Sequence, residues 1–270
     1  MLFLLPPSET KRDGGAEGTR LDLGALRFPA LRRQRTEAVA ALKALSGDRD
    51  AALRALKLGP KQHAEVERNR SLRSSALMPA IDRYTGVLYD ALDAASLSAS
   101  QRDFAAQHVV IHSALFGPIG ALDPIPAYRL SHDSRLPDLP LGKHWRDAAA
   151  AALASDSGPG SGSGSGSGEG TGNSRTETGL VLDLRSEAYV HLGPAPAGSH
   201  FVRVVTEEED GARRALNHFN KKGKGTFVRA VLEAEIDHAD LDSLLAWAAS
   251  VGIRLSPSAP GAPGELELVV

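Results

Sequence analysis

Cysteine is absent from the 270-residue chain. Its absence excludes disulfides, thiolate zinc sites, cysteine-ligated iron–sulfur clusters and every nucleophilic or redox mechanism that runs through a thiol. Aromatic residues are scarce, at 5%. Long apolar runs are missing as well: the N-terminal one ends at Leu5, before Pro6-Pro7. A secretory signal needs a basic start and an apolar stretch of roughly 7–15 residues, and a membrane helix needs about 18. A cytoplasmic protein without membrane attachment is therefore expected. No large excess of one charge exists either, the net value being −2 at pH 7, so the chain as a whole is not a polycation.

What is present is a soluble composition, 42% hydrophobic and 24% charged. A chain of this length buries roughly 70–75% of its unfolded surface, which makes a core without metal or disulfide staples. Charge is unevenly placed. Residues 20–73 hold 13 Lys and Arg against 6 Asp and Glu. Residues 211–230 hold 6 basic and no acidic residues, and residues 231–270 hold 7 acidic residues against Arg254 alone. Basic blocks favour anionic partners through counterion release, although charges separated in sequence also neutralise one another in space.

Patterning predicts buried strands at residues 2–5, 108–115 and 180–184, and closing strands at 253–255 and 266–269. Helices are predicted over residues 27–45, 50–58 with Asp50 as its cap, 61–72, 98–106 capped by Ser98, 141–153 around Trp145, 225–235 and 239–250. Residues 80–92 read as partly helical, and 116–126, with two Gly and three Pro, as a structured loop. Residues 201–206 and 212–219 flank a Glu-Glu-Glu-Asp-Gly tip and read as a hairpin. The fold class expected is α/β: one domain over residues 1–270, a mixed sheet surrounded by helices. Residues 155–178, with alternating Gly and Ser, read as a flexible insertion within it.

Catalytic and cofactor motifs are few. Lys222-Gly223-Lys224-Gly225-Thr226 resembles the end of a phosphate loop but lacks a glycine five residues before Gly223. Gly117–Gly120 lacks dinucleotide spacing, and no Gly-x-Ser-x-Gly occurs outside the Gly/Ser repeat. His108 and His112 on one strand face stand about 13 Å apart, too far for one ion, and His132-Asp133 adds no ligand cluster. No metal and no cofactor is expected.

Three polar groupings remain. In residues 218–225, glycines let a partner approach, Lys221, Lys222 and Lys224 sit before a helix expected to start near Gly225-Thr226, and His218 and Phe219 offer stacking surfaces. Such a set can hold a phosphate. Leu58-Gly59-Pro60 separates two short helices, with Lys57 and Lys61 beside it, and such a hairpin can offer backbone amides to a DNA phosphate. Finally, Ser8, Glu9, Lys11, Tyr128, Arg129, Asp183 and Glu187 fall in loops, where sites concentrate. Glu9, Asp183 or Glu187 could serve as acid, base or ligand in an enzyme acting on a nucleic-acid or phosphorylated substrate. Structural pairing with Arg129 and Arg185 accounts for them equally well.

Seven short motifs occur in a telling order: Leu5-Pro-Pro-Ser-Glu-Thr-Lys11; Tyr84-Thr85-Gly86 with Leu88-Tyr89; Ser113-Ala-Leu-Phe-Gly117; Leu122-Asp-Pro-Ile-Pro-Ala-Tyr-Arg-Leu130; Trp145 with Asp147; Asp183-Leu-Arg-Ser-Glu-Ala-Tyr189; and Phe219-Asn-Lys-Lys-Gly-Lys-Gly225. Their succession resembles the peroxide stress protein YaaA family over nearly the whole chain. The resemblance implies a cytosolic protein linked to hydrogen-peroxide resistance, which limits damage from unincorporated iron and binds duplex DNA with weak sequence preference. It also implies a basic cleft, drawing here on Lys11, Arg129, Lys221, Lys222 and Lys224, and a helix-hairpin-helix-like element at Leu58-Gly59-Pro60. Some relatives open with Ser-Pro-Ala-Lys-Thr; here the order is Pro7-Ser-Glu-Thr-Lys11, which shifts the lysine. Direct iron sequestration by the histidines is the remaining possibility, without a legible ligand cluster.

Overall fold

The first apolar run becomes the central strand. In the computed structural model, which describes residues 1–156, 179–207, 213–215, 219–258, 262 and 264–270, all four side chains of β1 (Leu2–Leu5) are buried. A strand covered on both faces is apolar throughout rather than alternating. The other strands are β2 (Met78–Pro79), β3 (Val109–Ser113), β4 (Gly117–Gly120), β5 (Pro124–Ile125), β6 (Val181–Asp183), β7 (His200–Glu207), β8 (Arg213–Ala215), β9 (Arg254–Pro257) and β10 (Glu265–Val269). The main sheet runs β4-β3-β1-β6-β7-β10-β9, with β8 also paired to β7. Its centre is parallel, β3 with β1, β1 with β6, β6 with β7 and β7 with β10; β4, β8 and β9 are antiparallel to their neighbours. β2 and β5 form a separate two-stranded sheet. The expected α/β fold with a mixed sheet is what the chain adopts.

The helices are α1 (Arg32–Leu45), α2 (Arg49–Ala55), α3 (His63–Arg70), α4 (Ala80–Arg83), α5 (Val87–Leu92), α6 (Ala99–His108), α7 (Leu141–Asp156), α8 (Glu187–Val190), α9 (Phe219–Ala234) and α10 (Leu241–Ser250). Ser98 caps α6 as expected, its hydroxyl accepting from Gln101 N. Among the described residues no helix is long and apolar enough to cross a membrane. Most of the Gly/Ser insertion, the acidic hairpin tip beyond Glu207 and His218 lie outside the described residues.

Several expectations need correction. Residues 116–126 are not simply loop: β4 pairs with β3 and β5 with β2. As the edge of its sheet, β4 accommodates Gly117, Pro118 and Gly120, which a central strand would not. α2 is capped by Asp48, whose carboxylate accepts from Asp50 N and Ala51 N, both at 3.0 Å. His108 ends α6 rather than opening β3, and its Nδ1 pairs with Met1 O at 2.7 Å.

α9 starts at Phe219, six residues before the expected start, so the Lys-Lys-Gly-Lys-Gly run is helix rather than loop. Its buried stripe runs Gly223, Lys224, Phe227, Val228, Val231 and Leu232, a helical period that continues unbroken into the glycines. These glycines serve close packing. A Cβ at Gly223 would meet Val270 Cγ1 at 2.8 Å, and one at Gly225 would meet Leu88 O at 2.2 Å, so α5 crosses α9 at backbone contact. Gly225→Ala should therefore destabilise the fold by about 1–3 kcal/mol through overpacking, although helix propensity alone favours Ala by up to about 1 kcal/mol. Urea unfolding of the two proteins measures the sign, and a more stable variant contradicts the close approach.

Candidate functional site

The loops after β1 and β6 meet at one end of the sheet. β1 leads onward to β3 on one side and β6 to β7 on the other. Adjacent parallel strands whose connections diverge leave a crevice beyond their carboxyl ends, the usual ligand position in α/β sheets. A cavity of about 560 Å³ lies there. Pro6–Thr10 and Leu184, Ser186 and Tyr189 form two walls; Thr85–Tyr89 and the first turn of α9 close it, with His132 at one side.

Its loops are held from behind by buried cations bonded to backbone carbonyls. Lys11, only 8% exposed, donates to Ser8 O at 2.8 Å and Glu9 O at 3.0 Å. Its Nζ also stands 4.1 Å from the Tyr128 ring centroid and 5.4 Å from that of Tyr84. Burial, with Arg129 nearby, brings the Lys11 pKa down to about 7. Lys224, 4% exposed, donates to Leu184 O at 2.9 Å, and burial lowers its pKa to about 8. Tyr128 anchors a buried hydroxyl chain, 2.7 Å from Tyr84 Oη and 2.6 Å from Ser113 Oγ. Desolvation raises the pKa of both tyrosines.

The loop carboxylates are engaged. Asp183 grips Arg185 through both oxygens, at 2.8 and 2.6 Å. Arg185 Nη1 continues to His112 Nδ1 at 2.6 Å, and desolvation followed by the Arg185 charge keeps that imidazole well below its usual pKa. Glu9 pairs with Arg129, whose backbone is clamped by the Asn69 side chain through bonds of 2.8 and 2.9 Å. Glu187, exposed, lies 3.7 Å from Arg203. Of the two readings left open for Asp183 and Glu9, the pairing with arginines is present. Among the described residues no group of three or more His, Asp or Glu could hold a metal ion.

Of the residues singled out from sequence, Ser8, Glu9, Lys221 and Lys224 line the cavity; Lys11 and Tyr128 stand behind it. The lysine triplet is divided. Lys221 and Lys224 are three apart and share a helix face, whereas Lys222 is turned away and borders a second groove with Trp247 and Val270. Lys221 and Lys222 are exposed, and neither pairs with a described carboxylate.

The α2–α3 hairpin stands apart, but two links tie it to the cavity rim: Asn69 through Arg129 to Glu9, and Lys57 through Asp133, at 2.7 Å, to the neighbour of His132. The Lys57 ammonium and then the Ser131 hydroxyl bring the Asp133 pKa down to about 2. Amides at its turn are already engaged: Leu58 N on Leu53 O, Gly59 N on Gln62 Oε1 and Gln62 N on Gly59 O. Lys61 is exposed. Asn220, His132, Ser186, Tyr189 and Val87 also line the site yet carry no spacing signal; three of them sit inside the motifs that carry the family resemblance.

The two buried lysines give stability a definite pH dependence. Between about 7 and the unfolded lysine value of roughly 10.4, the unfolded chain binds more protons than the native one, so stability rises with pH across that window. Unfolded tyrosines begin to ionise near 10 and reverse the trend. Urea unfolding from pH 7 to about 9.5 should show the rise, and Lys11→Met should flatten it. An equal rise in the variant contradicts a depressed Lys11.

Comparison with known proteins places these features in a family. The model for peroxide stress protein YaaA matches residues 1–251. A UPF0246 protein of Corynebacterium glutamicum is 39% identical over 275 residues, covering 100% of both chains. One from Streptomyces coelicolor is 36% identical over 279 residues, covering 100% of this chain and 98% of its own. One from Corynebacterium efficiens is 41% identical over 86% of this chain and 84% of its own. The chain belongs to the peroxide stress protein YaaA family, UPF0246.

Proposed function

We propose that this protein acts in peroxide stress by binding duplex DNA through backbone phosphates, and that in doing so it limits damage from unincorporated iron. The observation that carries the reading is the pair of exposed lysines on the first turn of α9, Lys221 at the crevice and Lys222 on the adjoining face beside the second groove. Amides at a helix start and nearby ammonium groups attract phosphate together. Lys61 on the α2–α3 hairpin supplies a second contact, through its side chain because the turn amides are engaged. Lys11 and Lys224 position loops rather than touch phosphate. Contacts of this kind fix the protein on the duplex without reading bases.

Binding of unrelated labelled duplexes across about 50–300 mM salt tests the reading. Each phosphate contact contributes a slope of roughly −0.9 in the logarithmic salt plot. Lys221→Ala with Lys222→Ala should weaken all duplexes alike and make the slope shallower by about 1–2. Lys61→Ala should remove up to about one further contact. An undiminished slope in all variants contradicts the assigned contacts.

A further inference from the structure

The cavity beyond β1 and β6 has a size and lining that phosphate contact does not use. At about 560 Å³ it cannot admit a duplex, but it lies within the range of roughly 300–1,000 Å³ that takes a small molecule. Part of its lining is apolar or aromatic. Tyr189 is buried with the His132 ring 5.3 Å away. The lining also includes the buried Tyr89, its hydroxyl donating to Pro6 O at 2.8 Å, and Val87, which is 44% exposed. The polar atoms are few and in part unpartnered. Asn220 Oδ1 is shielded from solvent and has no hydrogen-bond donor among the described residues; a buried acceptor left unmade is costly, so it marks a place for a donor on a ligand. Ser186 begins α8 without using its hydroxyl as a cap. Lys221 and Lys224 add positive charge on the α9 side.

We infer that this cavity holds one nucleotide unit, with the base against the rings of Tyr189 and His132 and the side chains of Tyr89 and Val87, an exocyclic amine or other N–H donating to Asn220 Oδ1, and the phosphate toward Lys221. The unit comes either from a DNA strand, as an extruded nucleotide, or from a free nucleotide. The strand source rests on the DNA-binding reading; the free source does not. Extrusion costs least where a base is already unpaired, so a strand-borne unit makes the protein prefer an unpaired nucleotide to a continuous duplex.

Two arms of one experiment separate the sources. In the first, the purified full chain is titrated calorimetrically with deoxyadenosine and deoxycytidine monophosphates. In the second, its affinity is compared for a fully paired duplex and the same duplex with one unpaired, bulged adenosine. Both arms are repeated with Asn220→Ala and with Ser186→Trp, which fills the cavity from an exposed position, after thermal melting shows that each variant is folded. A tenfold or greater preference for the bulge, removed by either folded variant, establishes the extruded nucleotide. Monophosphate binding weakened tenfold or more by the variants, without duplex binding, establishes the free nucleotide and overturns the DNA reading instead. Equal affinity for both duplexes with no monophosphate binding overturns the nucleotide cavity and leaves phosphate-only DNA binding standing. Binding of either probe that neither folded variant weakens also overturns it, since the ligand then sits elsewhere.

Discussion

Buried cations that donate to backbone carbonyls hold this fold's functional end together. Lys11 ties down the loop after β1, and Lys224 the loop after β6. Arg83 donates to Arg12 O, Gly14 O, Ala76 O and Ile125 O, and so fixes the chain that follows Lys11. Arg35, fully buried, donates to Phe116 O and Pro118 O on the β4 edge and to the chain leading into α1. A buried charge is tolerated only when its donors are satisfied, and carbonyls at loop bends need donors that regular structure does not give them. Each need answers the other. The crevice walls are therefore set before any ligand arrives, which is the condition for a preorganised site.

The same device changes what the charge pattern means. Part of the basic excess in residues 20–73 is buried or paired with neighbouring carboxylates, while Arg20, Arg32, Arg54, Lys61 and Arg73 stay exposed. Arg35 is buried, Arg27 pairs with Asp156, Arg33 with Glu37, Arg68 with Asp13 and Glu65, and Arg70 with Glu67. Exposed ion pairs of this kind contribute about 0–1 kcal/mol each, so their effect is less on stability than on the surface potential, which they flatten. What remains at the crevice mouth is small and local: Lys221, with Lys222 on the next face of α9 and Lys61 on the neighbouring hairpin.

The sheet was legible wherever burial wrote a continuous apolar run, as in Leu2–Leu5 and Val109–Ser113, and wherever a cap had its own chemistry, as at Ser98. The site was legible in its loop residues Ser8 and Glu9, and the pairing of Asp183 and Glu9 with arginines was one of two readings the sequence left open. Misreadings came from residues whose local preference tertiary contact overrides. Gly223 read as loop ahead of a helix expected to start at Gly225; here both glycines lie within the helix and admit Val270 and the α5 backbone at distances no Cβ allows. Gly117 and Pro118 read as loop because a central strand excludes them, but an edge strand does not. Lysines at 221, 222 and 224 read as one cluster because sequence proximity hides the rotation of about 100° per residue that sends Lys222 to another groove. Asn220 gave no signal, since a lone asparagine shows its missing partner only once its surroundings are known.

The central claim is that nucleic acid engages the crevice where the paths of β1 and β6 diverge. Backbone hydrogen exchange of the full chain, with and without saturating duplex DNA, tests it most directly. Protection should rise together in residues 6–10, in residues 186–190 and in the first turn of α9, with the smaller change on the α2–α3 hairpin. Protection confined to that hairpin, or to the groove beside Trp247, would contradict the account.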